Sequence, residues 1–350
     1  MRAEALAALL TLLGACARPP TVTATPWSWS LPVGWPAPVV PDDDPMTVEK
    51  VALGRLLFFD QRLSQNQTTA CATCHDPARA YTDGRTTALG STGQLHRRNT
   101  QSLANVAYAS SLTWANGQQT VLAHQALVPL LGDTPVELGW QGHQTELFAR
   151  LSDDEAYARR FGAVFGTEGV TLDTLTRALA AFERTLISGT SPWDRFVAGD
   201  LSALSDAAKR GHELFTSDAV GCSHCHAGFA FTDAVVAVGV QAVQAFHNTG
   251  LYDVDGHGAY PEGDQGELEI TNHAIDMGCF KAPGLRNLRF TAPSCTTARR
   301  RPWRNSSTPI PREAASSSTW VTPRCCRARW CGRWGSTLAR RPTCWPFSTP

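Results

Sequence analysis

Two five-residue segments constrain this chain more than any other feature of its sequence. They are Cys71-Ala72-Thr73-Cys74-His75 and Cys222-Ser223-His224-Cys225-His226, and both match the Cys-x-x-Cys-His pattern of covalent haem attachment. In that chemistry two thiols add to the two vinyl groups of one haem, and the adjacent imidazole becomes the proximal iron ligand. The sequence therefore predicts two haem c groups, with His75 and His226 as iron ligands.

The same cysteine pairs have two other interpretations. Two Cys-x-x-Cys pairs can supply four thiolates to one zinc ion, and in an oxidising compartment each pair can close into a disulfide. Neither alternative needs a histidine directly after each pair, whereas haem attachment does. Haem is therefore the preferred interpretation.

Length and charge limit the remaining possibilities. A chain of 350 residues with 43% hydrophobic content can bury one large core or two modest ones, and its length favours two domains. Lys and Arg together number 31, as do Asp and Glu. Because no global basic field results, we expect no nucleic-acid partner.

The first 16 residues form a short apolar segment that ends in Leu13-Gly14-Ala15-Cys16. The segment is too short to cross a bilayer and is typical of a secretion signal. Its ending is similar to a bacterial lipobox, which predicts a lipid on Cys16, although a plain cleaved signal is the alternative. No later run of about 18 apolar residues occurs. We therefore predict a periplasmic protein, with Cys16 as its possible lipid anchor.

Helical periodicity precedes each cysteine pair. Residues 17–45 are rich in Pro and Trp, which favours an extended arm. Thr47 can cap a first helix that leads to the first pair, a second helix is predicted over Asp173 to Ser188, and a third begins at Ser205 and leads to the second pair. Strand alternation is weak throughout. The pattern predicts an all-α fold with two cytochrome c-like haem domains.

From Pro41 to Pro293 the chain resembles the bacterial dihaem cytochrome c peroxidases, and their methylamine-utilisation (MauG-like) branch more closely. Four segments carry the resemblance: LGRLLFFD at 53–60, RRNT at 97–100, FERTL at 182–186 and FKAPGLRN at 280–287. Two more, LTWAN at 112–116 and FHNTGLY at 246–252, are similar to the methanobactin-associated dihaem enzymes, whose substrate is a tryptophan on a partner protein. The resemblance implies an N-terminal peroxidatic haem domain at 46–188 and a C-terminal electron-transfer haem domain at 189–293.

The resemblance also implies a role for each haem. His75 corresponds to the proximal ligand of the haem that reacts with peroxide, and His226 to that of the haem that stores electrons. Trp114 matches an inter-haem tryptophan that relays electrons between them. Without the resemblance, the alternative for Trp114 is a core aromatic residue.

Three positions match the distal pocket of the family's open haem, namely Gln125, Pro129 and Glu137. Peroxide cleavage needs a proton moved from the inner oxygen to the outer one, and a carboxylate held above an open iron can move it. We therefore assign the proton shuttle to Glu137. The alternative for Glu137 is a solvated glutamate in a loop.

Other positions match further ligands of the family. Asn99, with the backbone carbonyls of Thr291 and Pro293, matches a calcium site between the haem domains, and oxygen-only ligation suits calcium. His96 can be a sixth ligand of the open haem, but we expect a surface histidine. Met277 lies near the second haem's segment, where we expect it to pack rather than to bind iron.

The implied function is reduction of hydrogen peroxide at an open haem. Its electrons come from a small redox protein, such as a cytochrome c or a cupredoxin, or from a side chain of a partner protein. One alternative is a MauG-like enzyme that oxidises a tryptophan of a partner protein. The other is a dihaem electron carrier without catalysis, which requires both irons to be six-coordinate.

Residues 294–350 differ from the rest of the chain. They contain 11 Arg, 5 Trp and 5 Cys, no Lys or Asp, and Glu313 as their one acid. The family continues here with a helix that bears the Tyr or Met ligand of the second haem, and a reading frame shifted by one base can encode its Met-His-Asp-Gly and Thr-Leu-Glu-Glu segments. We therefore predict a frameshift at about Ser294, and a divergent tail is the alternative.

Overall fold

The computed structural model describes residues 24–243 and 245–292, and these residues are mainly helical. The α-helices are α1 Val48–Phe59, α2 Cys71–Cys74, α3 Leu122–Gln125, α4 Leu127–Leu131, α5 Gln144–Ser152, α6 Glu155–Phe165, α7 Leu172–Arg184, α8 Pro192–Val197, α9 Asp206–Thr216 and α10 Leu268–Thr271. Short 3₁₀ turns lie at Gln61–Leu63, Pro77–Arg79, Val106–Tyr108, Gly166–Glu168, Cys222–His224 and Ala274–Asp276. None of the helices in this part of the chain is long and apolar enough to span a bilayer.

The all-α prediction needs one correction. Strands β1 (Phe246–Asn248) and β2 (Cys279–Lys281) form a two-stranded antiparallel sheet, in which His247 lies opposite Phe280. Each strand has three residues, which is too short for a period of two to show in the sequence. The fold is therefore helical with a small sheet in its C-terminal part.

Helices α1 and α7 form the centre of the larger core. Leu57 and Phe58 of α1 and Leu175 and Leu179 of α7 are almost fully buried. At Gly54 the two helices come so close that a Cβ would clash with the carbonyl oxygen of Ala178. This close approach requires glycine. Cys71 of the first cysteine pair packs against the same core.

The helix starts agree with the capping residues of the sequence. Thr47 accepts a hydrogen bond from the Lys50 amide at 3.1 Å at the start of α1, and Ser205 caps α9 in the same way. Helix α7 ends at Arg184, four residues earlier than predicted. The chain leaves the helix because Asn105 binds its continuation, accepting from the Ser188 amide at 2.7 Å.

The described part of the Pro- and Trp-rich arm, residues 24–45, contains no helix and has turns at residues 33–34 and 42–43. Trp35 packs against Tyr108 and Phe229, with ring centroids 5.6 and 4.6 Å away. The Tyr108 hydroxyl donates to the Pro36 carbonyl at 2.8 Å. The arm therefore contacts both Tyr108, which precedes the second cysteine pair in the chain, and Phe229, which follows it. Tyr108 also belongs to a second, smaller core with Ala230 and Val235.

Candidate haem sites

The first cysteine pair lies on α2, and the local backbone sets its geometry. The His75 amide donates to the Cys71 carbonyl at 2.9 Å, so the imidazole follows the cysteines by one helical turn. The side chains of Cys71, Cys74 and His75 line one cavity, and both cysteines are free thiols. Two thiols and one imidazole on the same wall are the donor set that a covalently bound haem requires.

The His75 ring is oriented by a backbone carbonyl. Its Nδ1 donates to the Tyr81 carbonyl at 3.0 Å, which leaves Nε2 available for iron. Ala80 and Tyr81 have φ angles of 51° and 63°, uncommon for residues other than glycine. Burial lowers the pKa of His75, so the imidazole is held in the neutral form that binds metal.

The second cysteine pair repeats this arrangement. The His226 amide donates to the Cys222 carbonyl at 3.1 Å, and Nδ1 of His226 donates to the Phe231 carbonyl at 3.2 Å. Phe231 also has a positive φ angle, 52°. Cys225, like Cys222, is a free thiol. The two predicted attachment sites therefore hold their histidines by the same kind of contact, which the sequence motif does not reveal.

The two cysteine pairs do not converge on one metal. Among residues 24–243 and 245–292, no group of three or more His, Cys, Asp or Glu side chains is arranged to hold a metal ion. The four-thiolate zinc alternative is therefore not supported. The residues expected to bind calcium offer oxygen from Asn99 and from backbone carbonyls. Of these, Pro293 lies outside the described residues, and the calcium site stays a prediction.

The predicted distal residues lie around the same cavity as the first cysteine pair. Gln125 ends α3, Pro129 is inside α4, and Glu137 follows α4 in a loop, and all three line the cavity. Apolar side chains complete the wall: Ala88, Leu89, Leu103, Ala126, Leu130, Leu138 and Leu179. A mostly apolar wall with a few polar groups suits a haem and a small polar substrate.

Glu137 is held in the cavity by its backbone. Its carbonyl accepts from the Ser91 amide at 2.9 Å, and the following amide, of Leu138, donates to the Pro129 carbonyl at 2.9 Å. The side chain retains 32% of its accessible surface and faces the cavity. Burial raises the pKa of Glu137 to about 7. At neutral pH this carboxyl group can both accept and donate a proton.

The His96 side chain is less exposed than the surface position predicted for it. Its side chain is 19% exposed and lines the cavity, with Nε2 3.8 Å from a carboxyl oxygen of Glu137. Burial lowers the pKa of His96. The expectation failed because the loop over residues 88–98 folds back on itself, with the His96 amide donating to the Ala88 carbonyl at 2.8 Å.

Trp114 lines a second cleft, which shares Leu103 with the first cavity. Its indole N–H donates to the Asn99 carbonyl at 3.1 Å, and its own carbonyl accepts from the Lys281 amide at 2.9 Å. The cleft is lined by residues 101–106 on one side, and by Ala230, Thr232, Ala234 and residues 281–284 on the other. Trp114 is half-buried, and it is not among the residues that form the hydrophobic cores or pack against them.

Glu183 is a cavity residue to which the sequence reasoning gave no role. It lines the first cavity, is 6% exposed, and its Oε2 has no hydrogen-bond partner within the described chain. Burial raises the pKa of Glu183 to about 8. The sequence carried a signal for it, because Glu183 continues the apolar stripe of Leu175 and Leu179 at intervals of four residues.

Several predicted features lie outside the described residues. These are the signal at 1–16 with its lipidation residue Cys16, the start of the arm, and the tail at 294–350. Met277 is described, and its carbonyl accepts from the Asn248 side chain at 2.8 Å. That contact involves the backbone, and the packing role of the Met277 side chain stays a prediction.

Two attachment sites in a mainly helical chain, one facing a cavity with a carboxyl group, define a dihaem c-type cytochrome. The family model of the di-haem cytochrome c peroxidases matches residues 48–202. The methylamine utilization protein MauG of Methylophilus methylotrophus is 37% identical over 282 residues, which cover 78% of this chain and 76% of that protein. The cytochrome-c peroxidase IdrP1 of Denitromonas iodatirespirans is 34% identical, with 75% and 72% covered.

A solved structure is also similar. It is a MauG-like protein associated with microbial copper homeostasis, with 43% sequence identity and a TM-score of 0.74, and the match covers 76% of this chain and 77% of that one. The chain therefore belongs to the dihaem cytochrome c peroxidase and MauG family. It is an oxidoreductase of the peroxide-using class, as the resemblance implied.

Proposed function

We propose that the chain reduces hydrogen peroxide at the haem held by Cys71, Cys74 and His75. The observation that carries the proposal is Glu137, whose carboxyl group has a pKa of about 7 and lies in the same cavity as those three residues. When bound, the haem supplies the iron that peroxide meets and that accepts its oxidising equivalents. Two electrons and two protons convert one peroxide into two waters.

Glu137 performs the proton transfer in this proposal. As a carboxylate it accepts the proton of the inner peroxide oxygen, and as a carboxylic acid it donates the proton to the outer oxygen, which leaves as water. A pKa near neutrality suits both steps. Gln125 can donate a hydrogen bond from its side-chain amide, and Pro129 and Leu130 limit the room for bulk water in the cavity.

Trp114 is the proposed electron relay to the second haem, on His226. Support comes from its place in a cleft that shares Leu103 with the first cavity and from the hydrogen bond that its indole N–H donates to the Asn99 carbonyl. An oxidisable aromatic ring at this point divides one long electron transfer into two short ones. A haem held by Cys222, Cys225 and His226 would supply a store for one oxidising equivalent at that site.

Two electron sources fit the proposal. A small redox protein, either a cytochrome c or a cupredoxin, supplies electrons in a peroxidase. In a MauG-like enzyme a tryptophan of a partner protein supplies them, and the 43% identity to the MauG-like protein associated with copper homeostasis favours this second candidate. We place the mature protein in the periplasm, anchored through Cys16 if that residue is lipidated, with a calcium ion between the haem domains.

The electronic spectrum of the ferric, haem-loaded chain tests the proposal against a non-catalytic electron carrier. A high-spin band from one haem indicates an open iron that can bind peroxide. Two low-spin haems would instead indicate that a residue such as His96 occupies the sixth position of the first iron. Adding peroxide and then each purified partner shows which one restores the resting spectrum.

A further inference from the structure

Lys281 lies at the end of β2, in the cleft beside Trp114. Its amide donates to the Trp114 carbonyl at 2.9 Å, and in the sheet it lies opposite Phe246. The next residue, Ala282, accepts a hydrogen bond from the Thr232 hydroxyl at 2.6 Å. The backbone around Lys281 is therefore tied both to the tryptophan loop and to the segment after the second cysteine pair.

The cleft that Lys281 lines adjoins both attachment sites. Leu103 belongs to its wall and also to the wall of the first cavity. On the other side, Ala230 and Thr232 flank Phe231, whose carbonyl binds the His226 ring. A group that projects from either haem toward the other would enter this cleft.

The ammonium group of Lys281 has no anionic partner among the described residues. No carboxylate in this part of the chain lies within ion-pair distance of it, and burial lowers its pKa to about 8. Arg286 lines the same cleft but is satisfied by Asp194, with contacts of 2.7 and 2.9 Å. Lys281 is half-buried, and an ammonium group in such a place is stabilised when it is paired, so a carboxylate that enters the cleft would complete the site.

We propose that Lys281 pairs with a propionate carboxylate of one of the two haems and raises the reduction potential of that haem. The proposal rests on the proposed function in one respect, that both haems are attached. The cysteines hold the vinyl side of a haem, which leaves its propionates to be neutralised by other residues. A positive charge nearby favours the ferrous state, which carries one positive charge fewer, and a medium of low dielectric strengthens the effect.

The reduction potentials of both haems in the haem-loaded full chain test the proposal. In Lys281→Met we expect the ratio of reduced to oxidised protein for one haem to fall roughly tenfold at a fixed ambient potential, which is about 59 mV for a one-electron couple. The haem whose reduction potential changes is recognised by its high-spin or low-spin spectrum, and this shows which haem carries the propionate that Lys281 binds. Lys281→Arg should restore the potential because it keeps the charge.

A matched control is Lys209→Met on α9, which removes a lysine whose partner is Asp206, at 3.6 Å. Unchanged potentials in Lys281→Met, or an equal change in Lys209→Met, would overturn the proposal. Lys281→Gln gives the same test with a polar side chain if the Met variant does not fold. Haem content is measured in every sample. A wild-type chain without two haems refutes the proposed function instead, so the two failures are distinguishable.

Discussion

Glu137→Gln should slow the reaction with peroxide and at the same time stabilise the fold. The amide cannot shuttle a proton, so we expect the rate constant for peroxide to fall by roughly 10² to 10⁴, the usual contribution of a positioned acid or base. The wild-type rate should fall as the pH drops below about 7, because only the carboxylate can accept the first proton. The variant should lack this pH dependence.

The stability of the fold should change in the opposite direction. Burial raises the pKa of Glu137 from 4.5 to about 7, and one pKa unit corresponds to about 1.4 kcal/mol. Below pH 4.5 the carboxyl group is protonated in both the folded and the unfolded chain, so it costs nothing. As the pH rises through about 7 the cost of the buried charge grows to about 3 kcal/mol. The glutamine variant avoids that cost above pH 7.

Stopped-flow mixing with peroxide measures the rate constant, and denaturant unfolding at pH 5 and pH 8 measures the free energy of unfolding. Glu155→Gln is the control, because that carboxylate is 90% exposed and lies outside the cavity. A variant at position 137 with wild-type peroxide kinetics would remove Glu137 from the mechanism. A glutamine variant that is less stable than wild type at pH 8 would contradict a raised pKa for the wild-type carboxylate of Glu137.

Three further changes test other parts of the molecule. In Trp114→Phe, peroxide should still react at the first haem while oxidation of the partner falls, since phenylalanine is harder to oxidise; unchanged partner oxidation in steady-state assays would make Trp114 a packing residue. Gly54→Ala should lower the free energy of unfolding by about 1–3 kcal/mol or more, because its methyl group meets the Ala178 carbonyl; a wild-type unfolding midpoint would contradict this helix contact. Resequencing the gene should find a missing or extra base near Ser294, and restoring the frame should change the spin state of the second haem. An identical six-coordinate second haem in both frames would show that the tail supplies a ligand.

Much of the first site was predictable because its chemistry depends on short-range spacing. The Cys-x-x-Cys-His motif places His75 one turn after Cys71 whatever the rest of the fold does. Placing Glu137 in the same cavity needed more, since the two residues are far apart in the chain, and only the family resemblance brought them together. The burial of His96 was missed because it depends on backbone hydrogen bonds within a loop that has no periodic pattern.

The C-terminal part was less predictable for a different reason. Its strands, β1 and β2, have three residues each, so their pairing depends on tertiary contacts and not on local pattern. Glu183 shows the converse case, in which a periodic pattern was present and was not used. A carboxyl group on an apolar stripe predicts burial, and burial predicts a raised pKa.

The contacts of His75 and His226 explain how one short motif works in two different surroundings. The first site lies beside the large core, while the second is followed by turns, a 3₁₀ segment and a small sheet. In both, Nδ1 of the histidine donates to the carbonyl of a residue five or six positions later in the chain. That residue has a positive φ angle in each case. The loop after the motif, rather than the domain around it, therefore orients the iron ligand. In the proposed function, the difference between the two haem sites would then arise from the other side chains around them, which at the first site include Glu137 and His96.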